Sequence, residues 1–393
     1  MSLEDKKDET KAIRIQAERS QNREHSVPLY LTSSFIYDDA EQMRAAFADE
    51  IDINIYTRFS NPNADEFVAK MCALEHAEAG FPTASGMAAI FASFSALLKT
   101  GDDILVCRSI FGATHTLLSK VMPRFGITHT LVELKDAANW EKYIKPNTKM
   151  LFVETPTNPG VDILDLEWLG KFAKKHKLLL NVDNCFATPA LQKPIDFGAD
   201  IVVHSATKYL DGQGRVLGGI VLGKKELIKE VYSFCRSTGP SISPFNAWVL
   251  SKSLETLSIR MERHSENALK IAEFLETHAE AEKVRYPFLP SHPQYAIAKK
   301  QMRMGGGIVS FNIKGGLERG KRFLDALDLC SMTANLGDSR TIISHPASTT
   351  HGKMTPEDQL LAGVEPGMIR ISTGLENVID IIADITQALE KSK

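Results

Sequence analysis

Between residues 61 and 245 two kinds of segment alternate. MAAIFASFSALLK, THTLLSKVMPRF and LEWLGKFAKKH read as helices, whereas DDILVC, MLFVETP, LLLNVDN and ADIVVHS are short apolar runs. These runs do not alternate between apolar and polar residues, so each reads as a strand buried on both faces. Strands separated by helices pair in parallel, because a parallel pair needs a long crossover connection. The pattern therefore predicts an α/β fold with a mainly parallel sheet covered by helices on both faces. Ligands of such sheets sit at the carboxyl ends of the strands. That singles out residues 154–159, Asp183 and Asn184, and residues 204–208.

On either side the pattern changes. Residues 1–60 are polar and irregular and end in NIYTRFSNPN, which suits an arm that packs on another subunit. From Asn246 to about His278 one helical pattern runs on, longer than a typical helix. It leads into a smaller α/β domain holding GGIVSFNI, LERGKRFLDALD and GMIRIS. The expected divisions are thus 1–60, 61–245 and 246–393.

Composition removes several function classes. The 46 basic and 49 acidic residues are mixed along the chain, and a net charge of −3 gives no electrostatic case for binding nucleic acid. No apolar run approaches the roughly 20 residues that span a bilayer. The opening MSLEDKKDETKAIR lacks the apolar core of a secretory signal, and the five cysteines form no CxxC pair. A cytoplasmic protein with reduced cysteines is expected.

Three features at predicted strand and helix ends carry chemistry. HSATKYLDGQGRVLGG places Lys208 between Thr207 and a glycine-rich run, beneath helices that can desolvate it. A lysine that attacks an aldehyde must lose its proton, and burial lowers its pKa from the usual value of about 10.4. Asp183 ends the apolar run LLLNVD, and a carboxylate there needs a partner. A protonated pyridine nitrogen would serve, as in pyridoxal phosphate. In TASGMAAIFA, Ser85, Gly86 and Met87 open a helix whose free N–H groups can hold a phosphate, with Ser205 and Thr207 offering hydroxyls. DGQGRVLGG follows the lysine and is too loose for a dinucleotide fingerprint. His345 and His351 fit no metal-ligand spacing, so no metal is expected.

The runs YTRFSNP, TASGMAAI, ETPTNP, VDNCFATP, HSATKYLDGQG, SPFNAW, NLGDSRTIISHPASTTHG and RISTGLEN occur in the order found in one family. Over nearly its whole length the chain resembles the Cys/Met-metabolism enzymes that use pyridoxal 5'-phosphate, of fold type I, which implies a mainly parallel sheet of the seven-stranded type. The resemblance implies that Lys208 carries the cofactor aldehyde, that Asp183 pairs with the ring nitrogen, and that Gly86, Met87, Ser205 and Thr207 hold the phosphate. It implies that Tyr56 and Arg58 reach the phosphate of a neighbouring subunit, that Asn158 lies near the phenolic oxygen and that Phe111 stacks on the ring. Arg370 and Asn335 would bind the substrate α-carboxylate. In MIRIS, Arg370 points away from Ile369 and Ile371, as strand alternation requires. The family's homotetramer, a pair of dimers with shared sites, is the expected assembly.

Phe111 narrows the reaction. Many relatives have Tyr there, whose hydroxyl can take part in proton transfer. A thiolate leaving group, with a thiol pKa near 8.5, benefits from an acid, whereas a carboxylate near 4.3 departs unaided. Phe111 therefore favours an O-acylhomoserine over cystathionine or methionine. KYLDGQGRVLGG and NLGDSRTIISHPASTTHG most resemble the branch that exchanges the succinate of O-succinylhomoserine for sulfide, giving homocysteine. Arg58, Arg215 and Arg340 are candidates for the succinyl carboxylate. An O-acetylhomoserine sulfhydrylase or a cystathionine γ-synthase is the next reading, and a γ-lyase is disfavoured by Phe111. A non-catalytic regulator of this fold would be expected to lack Lys208, Asp183 or Arg370, and all three are present.

Overall fold

The computed structural model describes residues 3, 5–350, 352, 355–361 and 363–393. The alternating region builds a seven-stranded sheet from β1 (Ala79–Thr83), β2 (Asp103–Cys107), β3 (Thr128–Val132), β4 (Thr148–Glu154), β5 (Leu179–Asp183), β6 (Ile201–Ser205) and β7 (Gly219–Gly223). Their spatial order is β1-β7-β6-β5-β4-β2-β3, and the block from β6 to β3 is parallel throughout. Only β7 runs against its neighbours. The connection from β6 to β7 contains no helical crossover, so the chain turns back and pairs antiparallel.

Both faces of the sheet are buried, as the continuous apolar runs require. In β4, Leu151 and Val153 enter one core, while Met150 and Phe152 enter the other. The first core is closed by Phe67 and Met71 of the helix Pro62–Glu75, the second by Ile90 and Phe94 of the helix Gly86–Leu97. β1, β3 and β7 are the strands that the sequence pattern did not isolate.

Two predicted helices come out differently. Residues 114–125 are not one α-helix: an α-helical Gly112–Thr116 passes into a π turn, Leu117–Val121, and a 3₁₀ turn, Met122–Phe125. Pro123 lacks the N–H that an α-helical ladder would need there. The long helical pattern after Asn246 is two helices, Pro244–Leu254 and Leu257–Thr277. At the break the Arg260 guanidinium donates to the carbonyls of Ser253 (2.9 Å) and Tyr209 (2.6 Å), tying the bend to the loop that carries Lys208.

The second sheet holds β8 (Ala281–Arg285), β9 (Ile308–Ile313), β10 (Ser331–Met332), β11 (Ile342–Ser344) and β12 (Met368–Ser372), in the order β10-β11-β12-β9-β8. Central β12 is antiparallel to β11 and β9. Ile369 and Ile371 point into a core with Ile271, Phe323 and Ile385 from the covering helices. The preceding arm is anchored to the helix Pro62–Glu75: the Asn63 side chain accepts from Tyr30 N–H and Glu66 accepts from Ala17 N–H. Beyond these anchors, Leu31, Ile36 and Phe47 face solvent, Ile36 at 99% exposure.

Lys70 joins the helix Pro62–Glu75 to the helix Pro244–Leu254. Fully buried, its ammonium lies 3.0 Å from Glu66 and 3.3 Å from Glu255, and it donates to the Ser251 carbonyl. Lys70→Ala leaves Glu66 buried without its counter-charge, so about 3–5 kcal/mol of stability should be lost. The denaturant midpoint measured against the parent checks this.

Candidate active site

The ends of β4, β5 and β6 bring three of the predicted segments to one edge. Glu154 and Asp183 are register partners at the ends of β4 and β5, and Ser205 ends β6. Lys208 follows in a turn closed by its N–H donating to the Ser205 carbonyl. The second sheet delivers Arg370 from β12 to the same place, with Asn335 from the loop after β10.

There the side chains link directly. The Lys208 ammonium lies 2.5 Å from Asn335 Oδ1. Arg370 donates through Nη1 to Asn158 Oδ1 (2.9 Å) and through Nη2 to the Asn335 carbonyl (3.1 Å), while its buried Nε has no protein partner. Burial lowers the Arg370 pKa to about 10, so the guanidinium stays charged at neutral pH. A buried cation with an unmet N–H is suited to a carboxylate. Burial also depresses the Lys208 pKa, with the positive charge of Arg370 acting in the same direction. The neutral amine needed for attack and proton transfer is thereby favoured.

Among the described residues the acidic side has no such cation. Burial pushes the Asp183 pKa up to about 6, against the N–H of Cys185, which donates to its Oδ1 at 3.0 Å, and the nearby His204. His204 is itself held by Glu75, Nε2 to Oε1 at 2.6 Å, and Glu75 also accepts from Asn184. Glu154 is raised well above the ordinary carboxylate range by burial and by the charge of Asp183. A buried carboxylate such as Asp183, held by a backbone N–H, fits a cationic ring nitrogen on a ligand.

The phosphate end is set by close backbone approach. A Cβ on Gly86 would lie 2.5 Å from Ser205 Cβ, so only glycine lets this helix start reach the end of β6. Ser85 caps the helix, accepting from Ala88 N–H, and the other first-turn N–H groups have no intrahelical partner. Thr207 Oγ1 accepts from Gly218 N–H at 3.2 Å, and Met87 lies near Thr114. Gly337, at φ +75°, passes over Lys208: a Cβ there would sit 2.6 Å from Tyr209 N. The residues present thus fit pyridoxal phosphate, with Lys208 for its aldehyde, Asp183 for its ring nitrogen and the Gly86–Ser205 cradle for its phosphate.

Not every expected residue joins this cluster. Tyr56 and Arg58 stay at the end of the arm, where Arg58 donates to the Arg236 carbonyl and lies over the Phe59 ring. Arg215 is bound to Asp211 and Ser253, and Arg340 to Asp338 and the Gln213 carbonyl. His345 bonds to Ser348 and the Pro366 carbonyl, and His351 lies outside the described residues. A cleft of about 970 Å³, lined by Arg108, Trp140, Asp162, Trp168 and Arg285 among others, holds none of the predicted site residues. Sequence reasoning assigned no role to Glu75 or Cys185 and gave Glu154 only a place at the strand ends. Its position opening ETPTNP after an apolar run was the available signal.

Residues 9–390 match the family model described as Cys/Met metabolism PLP-dependent enzyme. The chain is 48% identical to an O-succinylhomoserine sulfhydrylase of Pseudomonas aeruginosa, over 97% of this chain and 94% of that one. It is 44% identical to an L-methionine gamma-lyase of Porphyromonas gingivalis, over 93% and 92%. A crystal structure of an O-acetylhomoserine (thiol)-lyase from Campylobacter jejuni, containing a pyridoxyl-lysine monophosphate, superposes with a TM-score of 0.94 at 36% identity, covering 98% of this chain and 99% of that one.

The raised pKa of Asp183 has a definite stability consequence without cofactor. A carboxyl group whose folded pKa exceeds its unfolded value favours the fold fully below about pH 4, and that contribution is lost as pH rises through about 6. Asp183→Asn should therefore raise the melting temperature of the cofactor-free protein above pH 6 and leave it unchanged below pH 4, while weakening cofactor binding. Thermal unfolding across pH, paired with cofactor titration, measures both.

Proposed function

Because this chain belongs to the Cys/Met metabolism family of PLP-dependent enzymes, we propose that it exchanges the succinate of O-succinylhomoserine for sulfide, forming homocysteine. Phe111 carries this reading. It opens the Gly112–Thr116 turn beside Glu154 and has no hydroxyl with which to protonate a leaving thiolate. Succinate needs no such acid, since its conjugate pKa is near 4.3. The P. aeruginosa relative, which bears the sulfhydrylase name, supports the same choice.

Pyridoxal phosphate supplies an electron sink that makes the Cα and Cβ protons of a bound amino acid acidic. The protein's part is to hold and to move protons. Arg370, steadied by Asn158 and the Asn335 carbonyl, grips the α-carboxylate and fixes which Cα bond faces Lys208. The Lys208 amine, its pKa already lowered, takes the Cα proton and redelivers it. Phe111 offers an apolar face and no proton to the leaving group.

A succinyl ester brings a second carboxylate that an acetyl ester lacks. Arg215 and Arg340 are already engaged by Asp211 and Asp338, which leaves Arg58 as the candidate anchor. In its own chain Arg58 makes no hydrogen bond to Lys208, Asp183 or Arg370 among the described residues. On this reading it serves a second copy, docked over the exposed Leu31, Ile36 and Phe47 of the arm. The arrangement fits a homotetramer built from dimers that share sites, acting on small molecules in the cytoplasm.

A γ-lyase acting on methionine is the second reading, favoured by the P. gingivalis relative. Homocysteine formation from sulfide should show a kcat/KM at least about tenfold higher with O-succinylhomoserine than with O-acetylhomoserine, as one charge-assisted contact supplies. Arg58→Ala should erase that ratio, and methionine should yield little keto acid. Fast keto-acid release from methionine would favour the lyase instead.

A further inference from the structure

The roles assigned so far leave Glu154 unused. The residue is 5% exposed at the end of β4, and its carboxylate makes no ion pair among the described residues. Such a group is costly to bury. Its hydrogen bonds show what it holds. Oε2 accepts the N–H of Phe111 at 2.8 Å, and Oε1 accepts the N–H of Asn158 at 2.9 Å. The donors belong to different loops, one following β2 and the other following β4. Those loops carry the side chain assigned to the ring face and the side chain assigned to the phenolic oxygen.

We propose that Glu154 is a positioning residue for the cofactor ring: with the cationic ring bound it is a carboxylate that ties the Phe111 and Asn158 loops together and adds its negative charge to that of Asp183 at the ring nitrogen. The proposal rests on the assignment of Phe111 and Asn158 to the cofactor pocket. Only a carboxylate of this length meets both requirements. Glutamine offers one acceptor and turns an NH₂ toward the other backbone N–H, and aspartate is one methylene too short to span both donors. The register supports the charge effect, since Glu154 and Asp183 are paired positions on adjacent parallel strands. The titratable groups that interact with Glu154 are Asp183, Cys185 and Cys107 at the end of neighbouring β2, and beyond them stand His204, which acts on Asp183, and Lys208, which acts on Cys185. Among them, Lys208 belongs to the aldehyde end and His204 is already paired with Glu75.

The test uses Glu154→Gln and Glu154→Asp in the full chain, read by cofactor titration, by the pH dependence of the bound cofactor's visible absorbance and by kinetics. Glu154→Gln should raise the Kd for pyridoxal phosphate about tenfold. It should also move the absorbance midpoint to lower pH by about half a unit or more, because a lost negative charge disfavours the protonated chromophore. Glu154→Asp keeps the charge, so it should hold the midpoint while lowering kcat. A lower melting temperature with unchanged Kd and midpoint in Glu154→Gln would reduce the residue to a loop brace and overturn the proposal. If that variant does not fold, Glu154→Asp decides, and unchanged Kd and kcat there overturn it. Phe111→Leu and Asn158→Ala separate the two levels. If both leave absorbance and Kd unaltered, the pocket assignment itself fails. If they alter them while Glu154→Gln does not, only the role of Glu154 fails.

Discussion

The site depends on burying charge of both signs at the carboxyl edge of one parallel sheet. Parallel strands end on the same side, so whatever residue closes each strand is delivered to a common edge. Here β4, β5 and β6 close with Glu154, Asp183 and Ser205. The acidic pair is left with backbone N–H donors, while Lys208 and Arg370 stand at the other side of the cluster with oxygen acceptors. An uncompensated arrangement of this kind works against folding, and a cationic ring at the acidic pair with a carboxylate at Arg370 would relieve it. Site and cofactor are matched through that imbalance.

Arg370 shows why two sheets are required. It belongs to the central strand of the small sheet, where Ile369 and Ile371 fix its orientation by packing on the opposite face. Its guanidinium nevertheless bonds to Asn158 of the large sheet's β4 loop. The group assigned to the substrate is thus set by the small sheet, and the groups assigned to the cofactor by the large one. Arg260, bonding the Ser253 and Tyr209 carbonyls across the helix break, holds the Lys208 loop against the helices that join the two sheets.

Much of this was legible in order. Four apolar runs without alternation became β2, β4, β5 and β6, and the residues just beyond three of them form the site. Lys208, Asp183, Asn158, Asn335 and Arg370 do converge. What escaped were features whose signal is not local. β1 and β3 are only partly buried, and β7 pairs antiparallel because the chain turns back without a helix. The helix break near Thr256 carries no proline or glycine, so periodicity ran straight through it. Glu154 looked like a strand terminus until its two oxygens were seen to hold two different loops.

By itself, the sequence determined the period of burial along each strand, the order of the segments and the chemical type of residue at each strand end. Those are properties of neighbours in the chain, set by side-chain polarity and backbone geometry. Tertiary structure alone decided which ends meet. It paired Glu154 with Asp183 and brought Arg370 to Asn158 across 212 positions of chain. Charges act over a few ångströms whatever their separation in sequence. Their pKa values and roles therefore exist only once the fold has placed them together.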